Sequence, residues 1–179
     1  MTNSLANDGW ALDEQGLSPE DSGADENIET ILLPVGFSDE GRTRALADAT
    51  AQIAGPMHST VHVLHVFTER GFEQIVEQLG YDLDPLPDPD RVVTRMLAVR
   101  DMVQKLTSPF RNYGVTVKVE GRVNDRTGDE IAAVADEIGA ARIVIGGRRR
   151  TPTGKALFGS TSQEVLLHAP CPVTFVPDL

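Results

Sequence analysis

Cysteine is nearly absent from this chain: Cys171 is the one thiol in 179 residues, so no internal disulfide can form and no metal centre can rest on paired thiolates. Lysine is scarce too, three residues against 13 arginines. No stretch approaches the about 18 consecutive apolar residues of a membrane-spanning helix. Bases are missing altogether from the first 30 residues, which hold eight of the 27 acids (Asp8, Asp13, Glu14, Glu20, Asp21, Asp25, Glu26 and Glu29). The other 19 acids face all 16 bases, so residues 31–179 carry −3 of the total net charge of −11. Without a basic face, the composition argues against binding to the phosphate backbone of DNA or RNA. The first 30 residues also lack the positive and apolar regions of a signal peptide, so a cytoplasmic protein is expected, with no membrane partner.

What is present divides unevenly. Residues 1–28 mix Asn, Asp, Gly, Ser and Glu, too few apolar groups to offset the entropy of ordering. They are expected to be a disordered acidic tail, with Trp10 a solvated residue, and the folded domain is expected over 29–179. From there short apolar runs alternate with helical patterns. Strands are expected at Ile31–Val35, Val61–Phe67, Val115–Val119, Arg142–Ile145 and Pro172–Val176. Between the first two, Ser38 is placed to cap a helix burying Ala45, Leu46, Ala49 and Ile53 and stopping at Gly55-Pro56. A short helix over Phe72–Leu79 precedes the acidic, proline-broken stretch 82–90. A helix from Asp90 then carries Val92, Val93, Met96, Val99, Val103 and Leu106 on one face and ends before Pro109. Thr127 and Glu130 have capping-box spacing ahead of another helix, and Ser160–His168 forms the last. Near-continuous apolar strands need cover on both faces. The pattern is therefore α/β, a doubly wound five-stranded parallel sheet with helices on both faces; a Rossmann-like strand order, 3-2-1-4-5, is the expectation. Such sheets bind ligands beyond the strand C-termini, so the segments after Val35, Val66, Val119 and Ile145 are where a site is expected.

The segment Gly146–Ser160 stands out among these. Gly146 and Gly147 follow a strand, Arg148, Arg149 and Arg150 come next with Lys155, and Gly159-Ser160 opens a helix; no Asp or Glu lies between residues 138 and 163. Glycines let backbone N–H groups approach a phosphate, and a helix N-terminus adds unpaired donors and partial positive charge. An anion site is one reading and a solvated basic loop the other. Neither the P-loop spacing nor G-x-G-x-x-G is present.

These residues resemble the universal stress proteins, whose pattern is G-x-x-G, nine residues, then G-[ST]. Gly146 and Gly159-Ser160 fall in that spacing, and Ala169-Pro170-Cys171-Pro172-Val173 is similar to the family ending. Ile31 to Ser38 resembles the first strand and loop, and Leu64-His65-Val66 the second strand. The resemblance implies binding of an adenine nucleotide, ATP or AMP, or a similar phosphate ligand. Its site would be Pro34, Gly36, Val66, Ile145, Gly146, Gly147, Arg148, Arg149, Gly159, Ser160, Thr161 and Ser162. It also implies a homodimer through the C-terminal strand. Two positions depart from the pattern: Gly36 stands where binders carry an Asp that contacts adenosine, and Arg149 replaces the second glycine. Losing one charged hydrogen bond removes about 1.5–3 kcal/mol. The alternative is therefore a dimeric interaction module of the same fold with a decayed nucleotide site.

Catalysis and metals find little support. His62 and His65 differ by an odd number along a strand and point to opposite faces, so they cannot chelate together. His58, His168 and Cys171 are read as structural. No Ser-His-Asp or paired-carboxylate arrangement is evident, so a binding protein rather than an enzyme is expected, with no metal site.

Overall fold

The computed structural model describes residues 29–99, 102–147 and 158–177. The acidic stretch 1–28 with Trp10, and Arg148, Arg149, Arg150 and Lys155, lie outside the described residues. Five strands, β1 (Thr30–Pro34), β2 (Thr60–Phe67), β3 (Thr116–Val123), β4 (Arg142–Gly147) and β5 (Val173–Pro177), form one sheet. All its pairings are parallel, as the alternation of apolar runs and helical patterns predicts, and the order is the expected one, β3-β2-β1-β4-β5.

Among the described residues six α-helices accompany it: α1 (Thr43–Ala54), α2 (Glu69–Gln78), α3 (Pro89–Val99), α4 (Met102–Arg111), α5 (Thr127–Glu137) and α6 (Ser160–His168). Side chains alternate across the sheet, so each face has its own core. Ile31, Leu33, Val61, Val63 and Phe67 pack with Leu46, Phe72, Val92, Met96, Leu106 and Phe110 from α1 to α4. Leu32, Leu64, Ile143 and Ile145 pack with Ile131, Val134 and Val165 from α5 and α6.

Local expectations fail in instructive ways. Ser38 does not cap the first helix. The chain leaves β1 through a 3-10 turn, Phe37–Arg42, and Asp39 Oδ2 accepts the Gly36 N–H at 2.8 Å. In α1 Ala45 is exposed and Ala49 and Ile53 are half-buried; the buried stripe is Thr43, Leu46, Ala47, Thr50, Ala51 and Ala54. The threonines fit because Thr43 Oγ1 donates to the Asp39 carbonyl and Thr50 Oγ1 to that of Leu46, which satisfies their hydroxyls locally. Helix α4 continues through Pro109, which sits two residues from its end, before buried Phe110; its ring forfeits one backbone bond in the final turn, with little helix beyond it to disrupt. The capping box at Thr127 does not form. Thr127 is already helical, and Glu130 Oε2 accepts from Asn124 Nδ2 at 2.7 Å instead.

Strand β3 outruns its expected end by four residues. Gly121 allows this, because its N–H donates to Asp90 Oδ1 at 2.7 Å and a Cβ there would collide with the Pro89 carbonyl. Glu120 and Arg122 flank it on an edge strand, paired with each other. Glu120 also meets His62 Nε2 at 2.7 Å, and Arg122 meets Glu137 at 2.9 Å.

Candidate functional site

A crevice opens where β1 and β4 part. Their ladder pairs only Ile31 with Arg142 and Leu32 with Ile143. β4 then runs on to Gly147, while β1 stays beside β2 as far as Pro34, paired with Leu64. Pro34 has no N–H to offer a ladder, so the end of β1 is where it fits. This is the point at which strand order reverses, the usual ligand position in open parallel sheets.

The cavity there measures about 380 Å³. Pro34, Val35 and Gly36 from the end of β1, Leu64 and Val66 from β2, and Ile145, Gly146 and Gly147 from β4 form its floor. Gly159, Ser160, Thr161, Ser162 and Val165 line one side at the start of α6, with Thr127 and Ile131 from α5. Ser38, Asp39 and Arg42 line the other. All ten described residues of the expected site are thus brought together; Arg148 and Arg149 lie outside the description.

The two sides differ in charge. α6 is entered from Gly159, whose backbone is extended, with no side-chain cap and no acid in the first turn, so its N–H groups leave a partial positive charge facing the crevice. Ser162 Oγ donates to the Gly146 carbonyl at 3.4 Å, tying that turn to β4. Opposite, Asp39 and Arg42 form an ion pair, Nε to Oδ1 at 2.6 Å, with each side chain 11% exposed. They are the only charged residues of the described lining. A Cβ on Gly146 would lie 3.1 Å from Arg42 Nε and from both Leu46 methyls, so the glycine lets α1 and the guanidinium close on β4.

Sequence reasoning missed this pair. Asp39 reads as a favourable acid on a helix N-terminus, and Arg42 as one arginine among many. The available signal was an i, i+3 Asp–Arg spacing directly after the first strand. The pair changes the meaning of Gly36: a carboxylate does sit at the end of β1, supplied three residues later and bonded to the Gly36 amide.

The histidines take structural places. His65 is buried, with Nδ1 2.6 Å from the Val35 carbonyl and its ring edge-on to Phe37 and Phe67. His168 Nδ1 meets Asp129 at 2.9 Å. Among the described residues no group of three or more His, Cys, Asp or Glu is placed to hold a metal ion, and no helix is long and apolar enough to cross a membrane. Burial raises the Cys171 thiol above its ordinary range, partly offset by Arg142 and the Ile143 backbone, so little thiolate forms near neutrality.

Comparison with known proteins agrees with this architecture. A universal stress protein of Mycolicibacterium smegmatis is 32% identical over 87 residues, 49% of this chain and 67% of that one. The structure of a universal stress protein from Archaeoglobus fulgidus superposes with a TM-score of 0.56 at 26% identity, covering 83% of this chain and 97% of the other. A structure of the universal stress protein from Archaeoglobus fulgidus in complex with dAMP gives 0.53 at 21% identity, over 83% and 96% of the two chains. A family model for the universal stress protein family matches residues 27–177. The sheet order, the strand-end crevice and this match over most of the sequence lead to one conclusion: the chain belongs to the universal stress protein family.

Proposed function

We propose that this protein is a stress-response protein that binds an adenine nucleotide, ATP or AMP, or a ligand with similar phosphate groups, in the crevice between β1 and β4. The observation that carries the reading is the crevice itself, a cavity of about 380 Å³ with Gly146 and Gly147 on its floor and the uncapped start of α6 at its side. The phosphates belong at α6, where backbone donors and the helix field favour anions. Pro34 and Val66 offer apolar surface to the base. Arg148 and Arg149 are assigned to the phosphate end from the sequence. The relative solved with dAMP supports the ligand class. Binding without turnover is the reading, and the one carboxylate of the described lining is engaged by Gly36 and Arg42. The folded domain is taken to run from residue 29, and the protein is taken to be cytoplasmic.

Equilibrium dialysis of the full chain against ATP, ADP and AMP, at moderate and high salt, is expected to show saturable binding. None at millimolar nucleotide would remove the proposal. Gly36 keeps a second reading in view, a protein-interaction module whose site has decayed. The two part on Gly36→Asp. A Cβ there would sit 3.4 Å from Asp39 Oδ2, so the new carboxylate crowds an existing one, and like charges so close repel. Nucleotide affinity is therefore expected to fall by about tenfold, the effect of about 1.4 kcal/mol. A gain of binding in the variant would favour the decayed site.

The reading includes a homodimer through β5. Among the described residues that strand pairs only with β4, every residue of it is half-buried in the single chain, and Leu166 and Leu167 are exposed nearby in sequence. An apolar edge left open invites pairing. Light scattering of the purified chain is expected to give twice the monomer mass, and a monomer at tens of micromolar would strike the dimer from the proposal.

A further inference from the structure

We infer that Arg42 is the residue through which the crevice reads its ligand's charge, selecting a phosphorylated ligand over its neutral parent, and that Asp39 is the residue that positions it. The inference rests on the nucleotide reading above and assigns a specificity element to it. The 3-10 turn after β1 sends Asp39 back toward the strand, where Oδ2 accepts the Gly36 N–H and Oδ1 accepts Arg42 Nε. One carboxylate thereby ties the guanidinium to the backbone at the strand end. A guanidinium carries its donors in a planar fork that matches phosphate oxygens, and the Nε bond sets the plane of that fork. Its side chain is 11% exposed, so the entropy of ordering it is spent on folding rather than on binding.

Placement makes the charge useful. Arg42 lies against Gly146 on one side, close enough that a Cβ would sit 3.1 Å from Nε, and Ser162 in the first turn of α6 bonds the carbonyl of the same glycine at 3.4 Å. The guanidinium and the positive end of α6 therefore flank a single residue of β4. An anion bound over Gly146 meets both, whereas an uncharged ligand brings no charge to either. Because the guanidinium is largely buried, salt screens it far less than an exposed base.

The test is calorimetric titration of the full chain with AMP and with adenosine, at about 0.1 and 0.5 M NaCl, a range over which exposed charges are progressively screened. The wild type is expected to prefer AMP at both. Arg42→Gln keeps a donor for Asp39 but loses the charge. It is expected to cut AMP affinity about 10- to 100-fold, the worth of one charged hydrogen bond, and to change adenosine affinity by less than about threefold. Arg42→Lys keeps the charge without the fork and should fall between; it also serves if circular dichroism shows the Gln variant unfolded. An equal loss of AMP and adenosine affinity, or unchanged AMP affinity in Arg42→Gln, overturns the inference. So does a wild type that binds both ligands equally, and in each of these cases the nucleotide reading stands. A wild type that binds neither removes that reading, and this inference with it.

Discussion

Replacing Phe67 by alanine is expected to lower the unfolding free energy by about 3–5 kcal/mol, the usual cost of emptying a buried aromatic position. Phe67 is the last residue of β2 and is 1% exposed. Its ring lies 4.3 Å from that of His65 and 5.3 Å from that of Phe72, both tilted rather than stacked. Such pairs add about 0.5–1.5 kcal/mol beyond area burial. The surroundings have little freedom to collapse into the void. β2 is paired along its whole length with β3, and His65 is held by the Val35 carbonyl. Domains of this size are stable by about 5–15 kcal/mol, so the variant should lie near the edge of folding. Urea unfolding followed by circular dichroism should show a lower midpoint with an unchanged slope. Val66→Ala is the control, since Val66 is half-buried on the opposite face and lines the crevice. It should cost about 1 kcal/mol. A loss below that figure at Phe67 would mean that the α2 side of the core does not bear on stability.

The parts of this fold that were legible before the structure are those in which one physical signal dominates. Ile31–Val35, Val61–Phe67 and Arg142–Ile145 read as strands because they are buried on both faces, and a sheet that needs cover on both sides leaves few topologies. Gly146, Gly147 and Gly159-Ser160 fall together in the crevice for the same reason. Elsewhere two signals compete. Glu120-Gly121-Arg122 has the composition of a turn, yet β3 continues through it, because an edge strand can hold charges in pairs and the Pro89 carbonyl needs the glycine. Pro109 reads as a stop but sits in a final helical turn. Thr43 and Thr50 hide in the core through hydrogen bonds that no hydrophobicity pattern records. The Asp39–Arg42 pair was hardest to foresee. Aspartate and arginine three residues apart are usually solvated and worth a few tenths of a kcal/mol; here the chain's return from β1 buries them at the ligand end of the sheet.

That burial sets the second large effect. Asp39→Ala is expected to destabilise the protein by about 3–5 kcal/mol, the usual cost of removing one partner of a buried ion pair. Arg42 would lose its 2.6 Å bond, and the half-buried Gly36 N–H its acceptor at 2.8 Å. The loss is not a statement of what the pair contributes, since desolvating both ions already offsets much of their attraction. The double variant Asp39→Ala with Arg42→Met separates the two quantities. It leaves no buried charge and fills the space beside Gly146 and Leu46 with apolar atoms. It should therefore be more stable than Asp39→Ala alone, by about 2 kcal/mol if the buried Arg42 charge accounts for most of the cost. Urea unfolding of the three variants and the wild type completes the cycle. Repeating it at 1 M salt should change the coupling little, since buried pairs are weakly screened. If Asp39→Ala and Arg42→Met instead add without coupling, the two side chains do not act as a pair in solution, and the guanidinium beside Gly146 has no fixed position from which to read a ligand.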